Sequence, residues 1–461
     1  MIYRKYPKGV VLLLSMVVLA VLSAWAVSIC SISGTNVQLA ENQRKADCAR
    51  ACAESGLEVI RFWLNRVAIP GSTAEELAFS QIADSFQGDL TNNEVLNIMP
   101  DYDNSANIIT IPSVTLNSAK GQNFSAVVRH VEAETLRVDV TGMYGSVSKT
   151  IRANYKFGTR AHTVFDFGVA TRGPLHLAGN IELEGVNVAV EASVYIESEF
   201  ENEALSIIGN SQIAGDVSIT NPDAYVTLQG GQAGIGGQTG EEAKENHVFT
   251  GVPPTEFPVP DPDYFECYAT NIVDSSTDTS ADATFENIRI VAGTNPTFSG
   301  NVTLRGIVFI ETPNVVTFTG NSDVTGIIVG DGDFGDNSGV NQINFLGNVE
   351  SYPVAELPNE EQFTAIKDET GTFVLAPGFS LSMGGSFNTL NGAIAANGIE
   401  FFGNAGGTID GSVINYSDEA MTLTGNSDLY FNRSGVTKVP AGFVPEVILQ
   451  YDPASYSESV L

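Results

Sequence analysis

"FTGNSDVTGIIVGDG", residues 318–332, decides how this chain folds. It begins with an apolar residue, a second residue and then Gly-Asn. The same pattern returns as "LAGN" (177–180), "IIGN" (207–210), "FSGN" (298–301), "FLGN" (345–348), "FFGN" (401–404) and "LTGN" (423–426), always beyond residue 170. Four copies share a stricter frame, Gly-Asn-x4-Gly: "LAGNIELEGVNVAV", "IIGNSQIAGDVSIT", "FSGNVTLRGIVFIE" and "FTGNSDVTGIIVGD". "MGGSFNTLNGAIAAN" and "FFGNAGGTIDGSVIN" follow it with one or two residues inserted. Neighbouring pairs lie 20 (301 to 321), 27 (321 to 348) and 22 (404 to 426) residues apart, the signature of a stacked repeat.

Between the motifs, apolar residues alternate, as in Val302, Leu304, Ile307 and Phe309. One such unit cannot bury its own inner face, whereas stacking buries every inner face together. The motif then marks a corner, where Gly and Asn tolerate positive φ and stacked Asn side chains hydrogen-bond from coil to coil. Isolated hairpins with Gly-Asn turns are the competing reading. The shared frame and the period favour a right-handed parallel β-helix over residues 161–435. The proline-rich "GVPPTEFPVPDPDYFE" (251–266) cannot continue a ladder and, with its flanks, predicts an excursion over 229–285. The frame is lost after Phe431, so residues 436–461 are expected to fold over the last coil as a cap.

Upstream, "NIITIPSVTLNS", "FSAVVRHVEA", "TLRVDVTGMYG" and "VSKTIRANYKF" alternate with period two and predict an antiparallel meander over 107–157. With the helical stretch "STAEELAFSQIADSF" (72–86) it makes a small α+β domain over 70–160.

Residues 1–69 read as one long helix. No charged residue occurs from 9 to 40, and "GVVLLLSMVVLAVLSAWAVSIC" (9–30) is long enough to span a bilayer. Arg4, Lys5 and Lys8 precede it, which predicts a cytoplasmic N-terminus and an exported body. Beyond the span, Ala49, Ala53, Gly56, Ile60, Leu64 and Val67 form one helical stripe, half of it tiny, which lets backbones approach closely. Pro70-Gly71 is the expected stop; from Gly9 to Arg66 the helix would run about 87 Å. Two rival processing readings compete: cleavage after Ala26 at "SAWA", and a lipoprotein-like "VSIC" that the bulky Ile29 opposes.

"KGVVLLLSMVVLAVLSAWAVSICSISGTNVQLAENQRKADCARACAESGLE", about residues 8–60, resembles the N-terminal region of the PilX-type family of type IV pilus minor pilins. That family pairs a basic residue and Gly with an apolar helix and continues with a stretch like "AENQRKADCARACAESGLE". The resemblance implies prepilin processing between Gly9 and Val10, and pilus or related secretion-machinery subunits as partners. The chain departs from major pilins in carrying Leu14 where they carry Glu, so mature starts at Met1 and at Val10 both stay open.

Charge excludes one class. Residues 1–66 carry eight basic and four acidic residues, a net +4, against −32 for the whole chain, so the remainder carries −36. Such a body repels phosphate, which sets nucleic acid aside. Catalytic patterns are absent. The four histidines (His130, His162, His176, His247) lie apart, acids show no recurrent pairing, and from 286 to 438 the basic residues are Arg289, Arg305, Lys367, Arg433 and Lys438. No cofactor is called for. The one candidate ligand site is "GDGDFGDNSG" (330–339), where Asp331, Asp333 and Asp336 could hold calcium, although without the Glu that ends an EF-hand loop. Cys48 and Cys52 share a helix face with no His nearby and read as packing residues. The expectation is a non-enzymatic structural protein of a bacterial inner membrane, pilus or cell surface. It would be anchored in lipid through residues 9–33 and display an adhesive or scaffolding β-helix, with surface polysaccharide as a candidate ligand. The alternative is an exported carbohydrate-active β-helix enzyme, a lyase or glycosidase.

Overall fold

The computed structural model describes residues 8–459 except 72, 96, 133, 199–201, 334–338 and 435–437. The chain divides into two units: residues 1–158 together with 447–461, and residues 159–446. The second is therefore an insertion in the first.

Helix α1 runs Lys8–Leu64, 57 residues without a proline, and stops short of the expected Pro70-Gly71 because its last turn tightens and Ala68–Pro70 becomes a strand, β1. Helix α2 is Glu75–Asn92. A short strand, β2 (Asp101–Asp103), leads into the four meander strands β3 (Ile108–Asn117), β4 (Gln122–Glu132), β5 (Thr135–Tyr144) and β6 (Val147–Arg160), paired antiparallel in sequence order. Their alternation is the one read from sequence: Val128, Val138, Val140 and Ile151 are fully buried against the helices.

The seventh strand of this sheet corrects the expected cap. Glu446–Ser459 inserts between β1 and β6 instead of closing the last coil. Ser455 accepts the Asn154 N–H at 2.7 Å, and Lys156 pairs with Asp452 at 3.1 Å. Alternating Val447, Leu449 and Tyr451 pack on the helix-facing core, so this segment buries its apolar side in the antiparallel unit. The stretch before it stays with the parallel unit, where Phe443 is buried.

The inserted unit is mainly β, and its sheets are parallel apart from one turn at Gly234–Thr239. Each pass of the chain adds a strand to successive sheets, consistent with a β-helix. The inner faces form one core in which Phe298, Phe318 and Phe345 stack 4.9 and 4.7 Å apart with rings 11° and 7° from parallel.

Coil order is not chain order. In the nine-stranded sheet, Leu175–Gly179 lies between Glu203–Gly209 and Met421–Gly425. The first pass therefore sits inside the stack. The chain winds outward to Tyr225–Gln229, crosses over through 251–270, re-enters at the opposite end and winds back until its last pass meets its first. The excursion is narrower than expected: helix α3 (Gly240–His247) and strands Val248–Thr250 and Asn271–Val273 lie inside the predicted 229–285 gap, strand Ala283–Ile290 begins within it, and the three strands join the twelve-stranded sheet, the first of the parallel sheets.

The Gly-Asn motif forms the column predicted for it. Asn210 donates to Asn180 (2.8 Å), Asn180 to Asn426 (3.0 Å) and Asn426 to Asn404 (3.4 Å). Asn348 donates to Asn321 (3.3 Å) and Asn321 to Asn301 (3.2 Å), with Ser386 standing between the two runs. The expected positive φ accounts for four of the seven motif glycines and not for the other three. Gly179, Gly209, Gly403 and Gly425 have positive φ, but Gly300, Gly320 and Gly347 do not, nor do the motif asparagines. What recurs is close approach: a Cβ on Gly320 would overlap the carbonyl oxygen of Gly300, and one on Gly347 that of Gly320.

The outer face of the first sheet is covered too. Phe257 and Phe265 of the crossover, Val354, Phe363 and Ile366 of a second excursion, and Phe443 form a further core over Ile307, Phe309, Ile327 and Val329.

Candidate functional site

The feature that separates this chain from a self-contained globular fold is helix α1, whose two halves meet different surroundings. From Val10 to Leu39 the apolar side chains face outward; Leu12 is 66%, Trp25 68% and Leu39 67% exposed. This is the one described helix long and apolar enough to cross a membrane. Ser15, Ser23 and Thr35 donate to carbonyls three or four residues back (Leu12, Leu19 and Ser31), so those hydroxyls are satisfied without water.

Charge begins abruptly at Glu41, which pairs with Arg44 at 2.9 Å; that hydrogen bond holds the Glu41 carboxyl below its usual range. From there the small stripe turns to the sheet. Ala49, Ala53, Gly56, Ile60, Leu64 and Val67 are all buried. A Cβ on Gly56 would collide with the Phe124 ring, and one on Gly142 of β5 with the Ala49 and Ala53 backbone. The expected close-packing face is therefore occupied by the protein's own β4 and β5. Cys52 packs in the same interface, with its thiol pushed up chiefly by burial. The adjacent side is pinned to the C-terminal strand: Arg50 pairs with Glu458 at 2.9 Å, Tyr456 donates to Glu54 at 3.2 Å, and Arg61 lies 4.7 Å from the centre of the Tyr451 ring. Gly9 and Val10, the processing candidates, both lie within α1; Arg4 and Lys5 fall outside the described residues.

Of the three calcium candidates, two lie among the described residues. Asp331 turns back and accepts the Thr312 N–H at 2.6 Å; burial raises its pKa. Asp333 follows in the loop, and Asp336 lies outside the described residues. Among the described residues no group of three or more His, Cys, Asp or Glu is placed to hold a metal.

The histidines occupy four separate settings. His130 stacks between Phe79 and Phe157, with centroids 6.0 and 6.3 Å away. His162 is buried beside Glu446 at 3.2 Å, and Arg160 meets the other Glu446 oxygen at 2.7 Å. Burial alone would raise the Glu446 pKa, but hydrogen bonds from His162 and Arg160 outweigh it and hold the group low. His176 faces outward on the nine-stranded sheet. His247 contacts Asp216 at 2.7 Å, a pair that no described hydroxyl or thiol completes.

No protein-family model matches the chain, and no curated protein does. Several solved structures align with it, two of them as follows. The competence-associated pilin ComZ from Thermus thermophilus aligns over 90% of this chain and 98% of its own, at 11% identity and a TM-score of 0.29. An ice-binding protein from the Antarctic ascomycete Antarctomyces psychrotrophicus aligns over 57% and 94%, at 15% identity and a TM-score of 0.16. Likeness at that level carries no argument, and the functional reading rests on the chain's own residues.

Proposed function

We propose that this chain is a membrane-anchored, exported structural protein: a PilX-like minor pilin or a type IV pilus assembly or surface-display component. The observation that carries the reading is the division of α1. Thirty residues from Val10 to Leu39 stay bare, while the next turns are buried in a sheet of the same chain. A soluble protein gains nothing from such an exposed apolar rod, whose transfer from water to lipid stabilises it by roughly 25 cal/mol per Å². In this reading the helix enters the bacterial inner membrane with its N-terminus cytoplasmic. The antiparallel unit is the base, and the inserted unit, taken as a right-handed β-helix, is the displayed scaffold or adhesive element. The insertion joins neighbouring strands, β6 and Glu446–Ser459, the arrangement in which a large domain can be added with least disturbance to its host.

The test is co-purification. Sheared pili and detergent-solubilised membranes from the native cell, probed for this chain, should contain it together with pilus subunits. Recovery only in the soluble exported fraction, without those subunits, contradicts the reading.

A further inference from the structure

The stack of parallel strands ends in a step. Asn271–Val273, the last strand of the first sheet, pairs only with Ile288–Ile290. The preceding half of that neighbour, Ala283–Glu286, pairs with Val302–Arg305 on one side and has no described strand on the other. The Ala283 N–H points back into the stack, to Asn301 O at 3.3 Å. Backbone groups of successive residues in a ladder face opposite neighbours, so those of Thr284 and Glu286 face the open edge. Glu286 O is met there by the Asn271 side-chain amide at 2.5 Å, which closes one end of the edge.

Beside it lies a cleft of about 480 Å³ lined by Ile272, Val273, Thr277, Thr284, Phe285 and Arg305. Its lining mixes polar side chains with apolar ones, because part of the core is uncovered at this point. Val302 and Leu304 are buried, whereas Ala283 and Phe285, at the same register in the end coil, are only half-buried, and Ile272 is 57% exposed.

We propose that this ledge accepts an extended segment of a partner protein as an added β-strand of about four residues, apolar over Phe285 and basic at the flanking positions. The open backbone edge supplies hydrogen bonds and Phe285 supplies the apolar contact. The surroundings supply the charge preference. Glu286 lines the cleft, Asp274, Asp278 and Asp282 lie in the loop that joins the two end strands, and Arg305 is the one cation lining the cleft, already paired with Glu286 at 3.3 Å. A second copy is a poor occupant, because two bodies of this charge repel.

Fluorescence anisotropy with the full-length protein in detergent tests this, using labelled, end-blocked Lys-Val-Lys-Val-Lys and the strand-incompatible Lys-Pro-Lys-Pro-Lys. The valine peptide should bind saturably and the proline peptide should not. Thr284→Pro removes one edge donor at a place where an edge strand tolerates proline, and should weaken binding about fivefold to tenfold with the melting temperature unchanged. Glu286→Gln leaves the backbone intact and should weaken binding severalfold, which keeps the test open if the proline variant misfolds. Equal binding of both peptides, no binding, or binding unmoved by either variant overturns the proposal. So does sedimentation showing that two copies pair through the same edge.

Discussion

The two units of this chain solve the same problem by opposite means. The antiparallel unit buries one face of a sheet against helices, and every β-strand from β2 to β6 pairs with its neighbour in sequence. The parallel unit buries its sheets against each other, and apart from the turn at Gly234–Thr239 every rung pairs with a segment at least one pass away. Both nevertheless close through distant sequence. The antiparallel sheet takes its last strand from the C-terminus, and the parallel stack sets its last pass against its first. The units are topologically separable, and each is complete only once its own last strand has been made.

The largest expected effect follows from that separability. Replacing residues 159–446 with a short turn should leave a cooperatively folded antiparallel unit, whereas truncation before Val447 should unfold it by removing the strand between β1 and β6. Circular dichroism and thermal melts of both variants decide this; a folded truncation would break the comparison. Next in size is Leu304→Asp, which sets a charge in the parallel core at a position with no exposure. The cost of an unpaired buried charge exceeds typical domain stability of about 5–15 kcal/mol, so the parallel unit should be lost while the antiparallel unit keeps its protease resistance. Loss of both together would show that the units fold as one. Gly142→Val in β5 is a smaller perturbation of the other unit. Its side chain would enter the α1 backbone at Ala49 and Ala53, and overpacking of this kind costs about 1–3 kcal/mol or more. Chemical denaturation should show that loss in the antiparallel transition alone.

Several of these features were legible in the sequence. Seven Gly-Asn motifs announced stacking, and Asn180, Asn210, Asn301, Asn321 and Asn348 form the amide column that the motif predicts. The four meander strands fell where period-two alternation placed them. Coil order could not be read, because a repeat states that coils stack and not which coil lies on which; Asn180 bonds Asn426, 246 positions away. The final strand was hidden by Pro453 within it and by the lack of a local partner. The second excursion over the first sheet was also missed, although Pro353 and Pro358 ahead of the buried Phe363 and Ile366 were a usable signal. At the candidate site, the apolar span was plain, but the small stripe was read as a face for other helices. Its complement, Gly142 against Ala49 and Ala53, lies in a strand and gives no local cue.

The smallest expected effect concerns pH. Glu446 stands at the point where the chain leaves the parallel unit, and hydrogen bonds from His162 and Arg160 hold its pKa below the usual carboxylate range despite burial. A carboxylate depressed in the folded state stabilises above its unfolded pKa, and the contribution disappears as pH falls through the folded value. The parallel unit should therefore lose stability below about pH 4.5, its ordinary value. Glu446→Gln should flatten that acid limb in denaturation curves recorded across pH; an unchanged limb removes the ion pair from the account.

The central claim is that the bare half of α1 is kept and used. N-terminal sequencing of the native protein, combined with fractionation, tests it most directly. The account predicts a mature chain beginning at Met1, or at Val10 after cleavage behind Gly9, recovered with membranes or sheared pili. A chain beginning at Val27 and free in the medium or periplasm would contradict both the anchor and the pilin-type reading.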